Sequence, residues 1–132
     1  MLSVVFASEQ SLVKAGSLGI VKGSQNYFKG EVSAQRLFNK TEFNAFSGAL
    51  VRFSKGARTA WHTHGGGQTL IVTKGVIYSG DSKGVVQVAR AGDILLCPPS
   101  LAHYHAGFEE EGEHIALTNA AADGKNAVWV SI

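Results

Sequence analysis

Residues 56–75 read GARTAWHTHGGGQTLIVTKG. Two histidines stand two residues apart, three glycines follow, and Gln68 opens an apolar run. Side chains alternate between the two faces of a β-strand, so His62 and His64 project the same way. The glycines let the chain turn tightly and bring the Gln68 carbonyl oxygen back beside the two imidazoles. Residues 92–107, GDILLCPPSLAHYHAG, repeat the spacing with His103 and His105, and EGEHIALTN (111–119) adds His114. All five histidines of the chain therefore fall in, or at the ends of, predicted strands. A lone histidine on a strand is usually a satisfied polar side chain. Two HxH pairs beside a glutamine resist that reading, because clustered imidazoles without a metal repel one another and lose basicity. The pattern points to a metal site.

The rest of the 132 residues supplies the frame for that site. The length suits a single domain over residues 1–132 with one core. Predicted strands run over Leu2–Phe6, Ser17–Val21, Tyr27–Val32, Gly48–Phe53, Thr69–Thr73, Val76–Ser79, Val85–Ala89, Asp93–Cys97, His103–Ala106, His114–Asn119 and Val128–Ser131. Turn signals separate them: SKGA at 54–57, TKG at 73–75, SGDSKG at 79–84, RAGD at 90–93 and ADGK at 122–125. The segment Leu37–Ala45 reads as a short helix or a loop. Short strands at regular spacing give an all-β sandwich or barrel, closed as a Greek key or jelly roll.

Charge and composition exclude several classes of function. Residues 1–90 carry 11 basic and 4 acidic groups and residues 91–132 carry 1 and 6, but the basic residues are scattered singly. Without a basic patch interleaved with aromatics, nucleic acid is not an expected partner. No apolar run approaches the ~18–20 residues that cross a bilayer, so no membrane role is expected. The opening MLSVVFASEQ lacks a basic leader and reads as structure rather than a signal peptide. A single Cys97 forms no internal disulfide, and the expected location is cytoplasmic. The acidic run Glu109–Glu113 reads as a solvated loop.

The motifs resemble those of the cupins. In the first cupin motif a Gly precedes the HxH, a Glu lies four residues beyond the second His, and a Gly follows; Gly56, His62, His64, Gln68 and Gly75 stand at those positions. In the second, Gly92, Pro98 and His103 are in register. The resemblance implies a single-domain cupin, a double-stranded β-helix or jelly-roll barrel. Residues 27–132 would form the barrel core, and residues 1–26 N-terminal strands that exchange in a homodimer. This chain departs from the pattern with Gln68 for the usual Glu, and with Ser100 and Gly107 where Gly and Asn are common.

From Tyr27 to Trp129 the chain is similar, more narrowly, to the small bacterial cupins that include manganese-dependent hydroxynitrile lyases, and to cupins found beside carboxymuconolactone decarboxylases. The resemblance implies a metal held by His62, His64, Gln68 and His103, with His105 and His114 as acid-base residues. It also implies a pocket wall at Ala49 and Val51, which share a strand face. The GGG between His64 and Gln68 replaces a Pro-containing PLG, which alters the loop beside the metal. Three imidazoles and a neutral amide leave a divalent ion its full charge, favouring Lewis acidity. The implied activity is lyase chemistry on a small hydroxy compound such as a cyanohydrin. Mn(II) is the favoured ion, then Fe(II), with Zn(II) or Ni(II) acceptable to the same donors. A cupin dioxygenase and a non-catalytic cupin that binds a small ligand or metal are the alternatives. Trp61 and Tyr104 are expected to face away from the histidines, and Cys97 to be structural.

Overall fold

The computed structural model describes residues 9–130. The predicted strand Leu2–Phe6 lies outside them, as does Ser131. Among the described residues there is no helix, so none is long and apolar enough to cross a membrane. Twelve strands, all paired antiparallel, run as β1 (Ile20–Lys22), β2 (Phe28–Lys29), β3 (Val32–Phe38), β4 (Phe46–Phe53), β5 (Ala57–Thr59), β6 (His62–Thr63), β7 (Gln68–Asp81), β8 (Val86–Arg90), β9 (Ile94–Cys97), β10 (His103–Gly107), β11 (Gly112–Asn119) and β12 (Val128–Trp129). They curl into a jelly-roll barrel, with the order β1-β3-β4-β11-β7-β10-β5-β2 along its main path.

Strand β7 makes the barrel possible. TKG at 73–75 is not the turn that its composition suggests; Thr69–Thr73 and Val76–Ser79 are parts of one strand of 14 residues. Its first part pairs with β9 and β11, and its second with β8 and β10, so it belongs to both sheets. Gly75, at φ +62°, bends the strand without ending it. A bulge adds to the bend: Glu113 pairs with Lys74 but His114 with Val72, leaving Thr73 unmatched. The extra residue shifts the alternation, so that Leu70 and Val72 are buried before the corner and Ile77 and Ser79 after it.

Other departures from expectation have similar causes. Tyr27–Val32 is split at Gly30, whose positive φ turns the chain between β2 and β3. Strand β3 then runs on to Phe38, and the remainder of Leu37–Ala45 is loop rather than helix. Part of the SKGA signal belongs to β5, a three-residue strand too short to show a period. Ser17–Val21 becomes Ile20–Lys22, which pairs with β3 of its own chain. Phe28 and Trp129 pack on each other edge to face at 5.4 Å, and Tyr27 stacks on Trp129 at 4.5 Å.

The core comprises Val32, Phe53, Ala57, Val72, Ile77 and Ala89, with Phe28, Val51 and Leu95 packed against it. Glu113 does not belong to a solvated loop: Arg52 Nε donates to it at 2.8 Å and Thr73 Oγ1 at 2.8 Å. Desolvation works to raise the Glu113 pKa, yet the hydrogen bonds from Thr73 and Arg52 outweigh it, and the carboxyl titrates below its ordinary value. This pair fastens the bulge from outside the barrel.

The corner is sterically specific. A Cβ on Gly75 would run into the Glu111 carbonyl oxygen and would also impose a left-handed backbone on a residue that avoids it. Gly75→Ala is expected to lower stability by about 1–3 kcal/mol, read as a lower urea midpoint at unchanged slope. An unchanged midpoint would mean that the corner relaxes freely.

Candidate metal centre

Five histidines converge inside the barrel. His62 sits on β6 directly opposite His103 on β10, and their ring centroids lie 4.5 Å apart. His64 follows β6 by one residue, and its ring is 4.9 Å from that of His62 and 5.1 Å from that of His103. His105, two residues along β10, shares the inward face of His103, with ring centroids 4.8 Å apart. His114 approaches from β11, where it is opposite Val51 and Val72, and its ring lies 5.5 Å from that of His105. None of the five is more than 5 % exposed.

Backbone carbonyls set the protonation of three rings. His62 Nδ1 lies 2.8 Å from the Ala60 oxygen, His64 Nδ1 2.8 Å from the Asn126 oxygen, and His103 Nδ1 2.8 Å from the Leu101 oxygen. A carbonyl only accepts, so each Nδ1 carries the proton and each Nε2 presents a lone pair. The Nε2 atoms of His64 and His103 are buried without any hydrogen-bond partner. Buried orphan acceptors are costly, and three tautomers fixed to offer lone pairs to one place are what a metal requires. One ring nitrogen from each of His62, His64, His103 and His105 lies within 4.8 Å of the others, a group able to hold an ion.

Gln68 is aimed at the same place. Its Nε2 donates to Thr118 Oγ1 at 2.9 Å, which turns its Oε1 toward His105 Nε2 at 3.2 Å. With His105 Nε2–H donating to that oxygen, the His105 lone pair is on Nδ1, buried and without a partner. Both nitrogens of His114 are likewise unpartnered. The residues read from sequence as ligands thus stand together, and His105, read as an acid-base residue, stands among them rather than behind them.

Val51 and Ala49 pair with His114 and Ala116, and so share their sheet face. Trp61 packs edge-on against Tyr104 at 5.1 Å, and the Arg58 guanidinium lies 4.8 Å from the Tyr104 ring centre, so this aromatic pair forms an outer layer. Thr59 Oγ1 accepts from the His105 backbone N–H at 3.1 Å. Cys97 is half-buried, and burial pushes its thiol up to about 11, which suits a structural role. The glycines of 65–67 allow a close approach: a Cβ on Gly66 would strike the Asn119 and Ala120 carbonyls, and one on Gly65 the Ala121 side chain.

Sequence reading missed Thr118 and Asn126. Thr118 was accessible by parity, since it shares a strand face with His114 and pairs with Gln68. Asn126 acts through its backbone oxygen, for which a sequence carries no sign.

A model of the ChrR cupin-like domain matches residues 20–123. The chain belongs to this family. Within the cupin-like fold it is 36 % identical over 118 residues to an (R)-mandelonitrile lyase of Granulicella tundricola, covering 89 % of each chain. It is similar in structure to a cupin-like protein of Thermotoga maritima, with TM-score 0.75 and 31 % identity over 92 % of this chain and 90 % of the other. A cupin 2 conserved barrel protein of Rhodopseudomonas palustris shares the fold at TM-score 0.73 and 16 % identity, over 94 % and 87 %.

Electrostatics follow from burial in this cupin-like site. Desolvation first, with mutual repulsion beside it, drives His62 down to about 3 and His64 to about 4 and holds His105 well below the ordinary value, while desolvation holds His103 below it against the Leu101 carbonyl and Asp81. Burial likewise takes His114 down to about 4. All five are neutral at pH 7. The unfolded chain binds protons on these rings near pH 6.5 while the folded, metal-free chain does not, so folding stability is lost as pH falls from about 6.5 toward 4. Metal-free protein is expected to show a urea midpoint falling steadily from pH 7 to pH 5. A flat profile would contradict the depressed values.

Proposed function

We propose that this protein is a metal-dependent lyase acting on a small hydroxy compound, with cyanohydrin cleavage as the reaction to test. The observation that carries the reading is the set of three imidazoles tautomer-locked by the Ala60, Leu101 and Asn126 carbonyls, with two further imidazoles beside them that no carbonyl locks: His105, with Nδ1 unpartnered, and His114, with both nitrogens unpartnered. The 36 % identical relative named a mandelonitrile lyase supports the choice of substrate. In this reading His62, His64, His103 and Gln68 hold a divalent ion, Mn(II) before Fe(II). When bound it supplies Lewis acidity toward a substrate oxygen.

The protein's own groups move the proton. His105 and His114 are neutral at pH 7, so either can accept one. The hydrogen bond from His105 Nε2–H to Gln68 leaves Nδ1 as the accepting atom. As the substrate O–H proton passes to the imidazole, the carbon-carbon bond breaks and its electron pair leaves with cyanide, while the O–C bond becomes a carbonyl. The imidazolium then returns the proton to cyanide as HCN, restoring the neutral ring. Ala49 and Val51 give the organic group an apolar wall, and burial excludes the water that would compete.

The nearness of His105 to His62, His64 and His103 favours a second arrangement, in which His105 is a ligand and His114 alone is the base. Metal content separates the two. Protein reloaded with Mn(II) is expected to release benzaldehyde from mandelonitrile, and His103→Ala to lose both metal and activity. His105→Ala and His114→Ala should each lower turnover by about 10²-fold or more with metal retained. Loss of metal in His105→Ala would make that residue a ligand. No benzaldehyde from metal-replete protein would sink the lyase reading.

We also propose a homodimer. Exposed apolar side chains stand at Leu12 and Val13 before the first strand and at Ile20 and Val21 on β1, and Ile94 and Leu96 are exposed on β9. Light scattering after size exclusion should give about twice the 13.9 kDa chain mass. A monomer at micromolar concentration would refute the dimer.

A further inference from the structure

The barrel mouth carries charge that a neutral cyanohydrin does not use. A cavity of about 370 Å³ opens beside Thr118, which orients Gln68, and Asn126, which fixes His64. Its walls include Arg36 and Lys40 and no acidic residue. Strand register accounts for Arg36: it pairs with Ala49, which pairs with Ala116, which pairs with Leu70. Directly opposed residues share a sheet face, so Arg36 stands in line with the row of the barrel interior, on β3, one strand in from the β1 edge, where its own side chain is exposed. Among the described residues its guanidinium makes a single hydrogen bond, from Nη1 to Asn39 Oδ1 at 3.3 Å. Arg36 takes no part in the ion pair found among the described residues, Arg52 with Glu113.

A surface arginine is ordinarily a solvated one. Here it borders the cavity whose walls hold the partners of two metal-site residues, and among the described residues no carboxylate lines that cavity. A guanidinium fork matches a carboxylate with two parallel hydrogen bonds, and the cavity volume lies in the range of small-molecule sites.

We propose that the substrate is a small hydroxy or oxo acid, its carboxylate held by Arg36 at the mouth and its hydroxyl or carbonyl oxygen directed to the histidines. The inference rests on the reading of those histidines as the reaction centre. A cyanohydrin then enters as a neutral analogue, in which a nitrile stands where the acid carries its carboxylate.

The test is isothermal titration of Mn(II)-loaded protein with mandelate and with mandelamide, its neutral counterpart. Mandelate should bind at least about tenfold more tightly, and Arg36→Gln should remove most of that preference while leaving mandelamide affinity and metal content unchanged. Raising KCl from about 50 to 500 mM should weaken mandelate alone in the unmutated protein, a measure that does not depend on the variant's folding. Equal affinity for the two ligands, a preference untouched by Arg36→Gln, or equal competition by inorganic phosphate would each overturn the proposal. Mandelonitrile cleavage is followed in the same preparations. Arg36-dependent mandelate binding without cleavage would reject the lyase reaction and keep the carboxylate site; cleavage without that binding would do the reverse.

Discussion

Three hydrogen bonds from imidazole N–H groups to main-chain oxygens govern this molecule. Five buried imidazoles at ring spacings near 5 Å are costly when charged, because burial and mutual repulsion both oppose protonation. Neutral rings avoid that cost but must still place a donor and an acceptor each. The carbonyls of Ala60, Leu101 and Asn126 take the donors, and the acceptors all turn inward. The geometry that satisfies the protons is therefore the geometry that offers the lone pairs.

The remainder of the fold delivers those carbonyls and rings to one point. Strand β7 passes from one sheet to the other through its bend at Gly75, carrying Gln68 at one end and running beside β10, with His103 and His105, at the other. The bulge at Thr73 sets the face on which His114 appears, and the Arg52–Glu113 pair holds the bulge. Small residues do the fitting where side chains would obstruct. Gly65 and Gly66 let the segment after β11 close over the metal side of the barrel.

Much of this was legible because β parity is a strong rule. Histidines two apart share a face, and the sequence pairs them twice, so the cluster could be read from spacing; strand spacing gave an all-β sandwich or barrel, and the resemblance of the two motifs narrowed it to the jelly roll. Gln68 was legible for the same reason, through the three-glycine turn. Less was visible wherever long-range register decides. The TKG stretch has the composition of a turn, and only pairing with β8, β9, β10 and β11 makes it the middle of a strand. Two- and three-residue strands such as β5 and β6 are too short to show a period. The Glu113 carboxylate sits in a run of acids, and its partner lies 61 positions away. His105 belongs to the ligand group by distance, which alternation alone does not measure.

The anchoring of His64 has an unequal consequence for variation. The Asn126 group that fixes it is a backbone oxygen, present whatever side chain position 126 bears. Replacement of Asn126 would thus leave the anchor chemically intact, whereas adding or deleting a residue between Asn119 and Val128 would carry the oxygen out of reach. The same holds for Ala60 and Leu101, each two positions before the ring that it serves. This centre tolerates drift in the identity of its supports and is intolerant of drift in their spacing, so loop length, rather than composition, would separate relatives that keep the metal from those that have lost it.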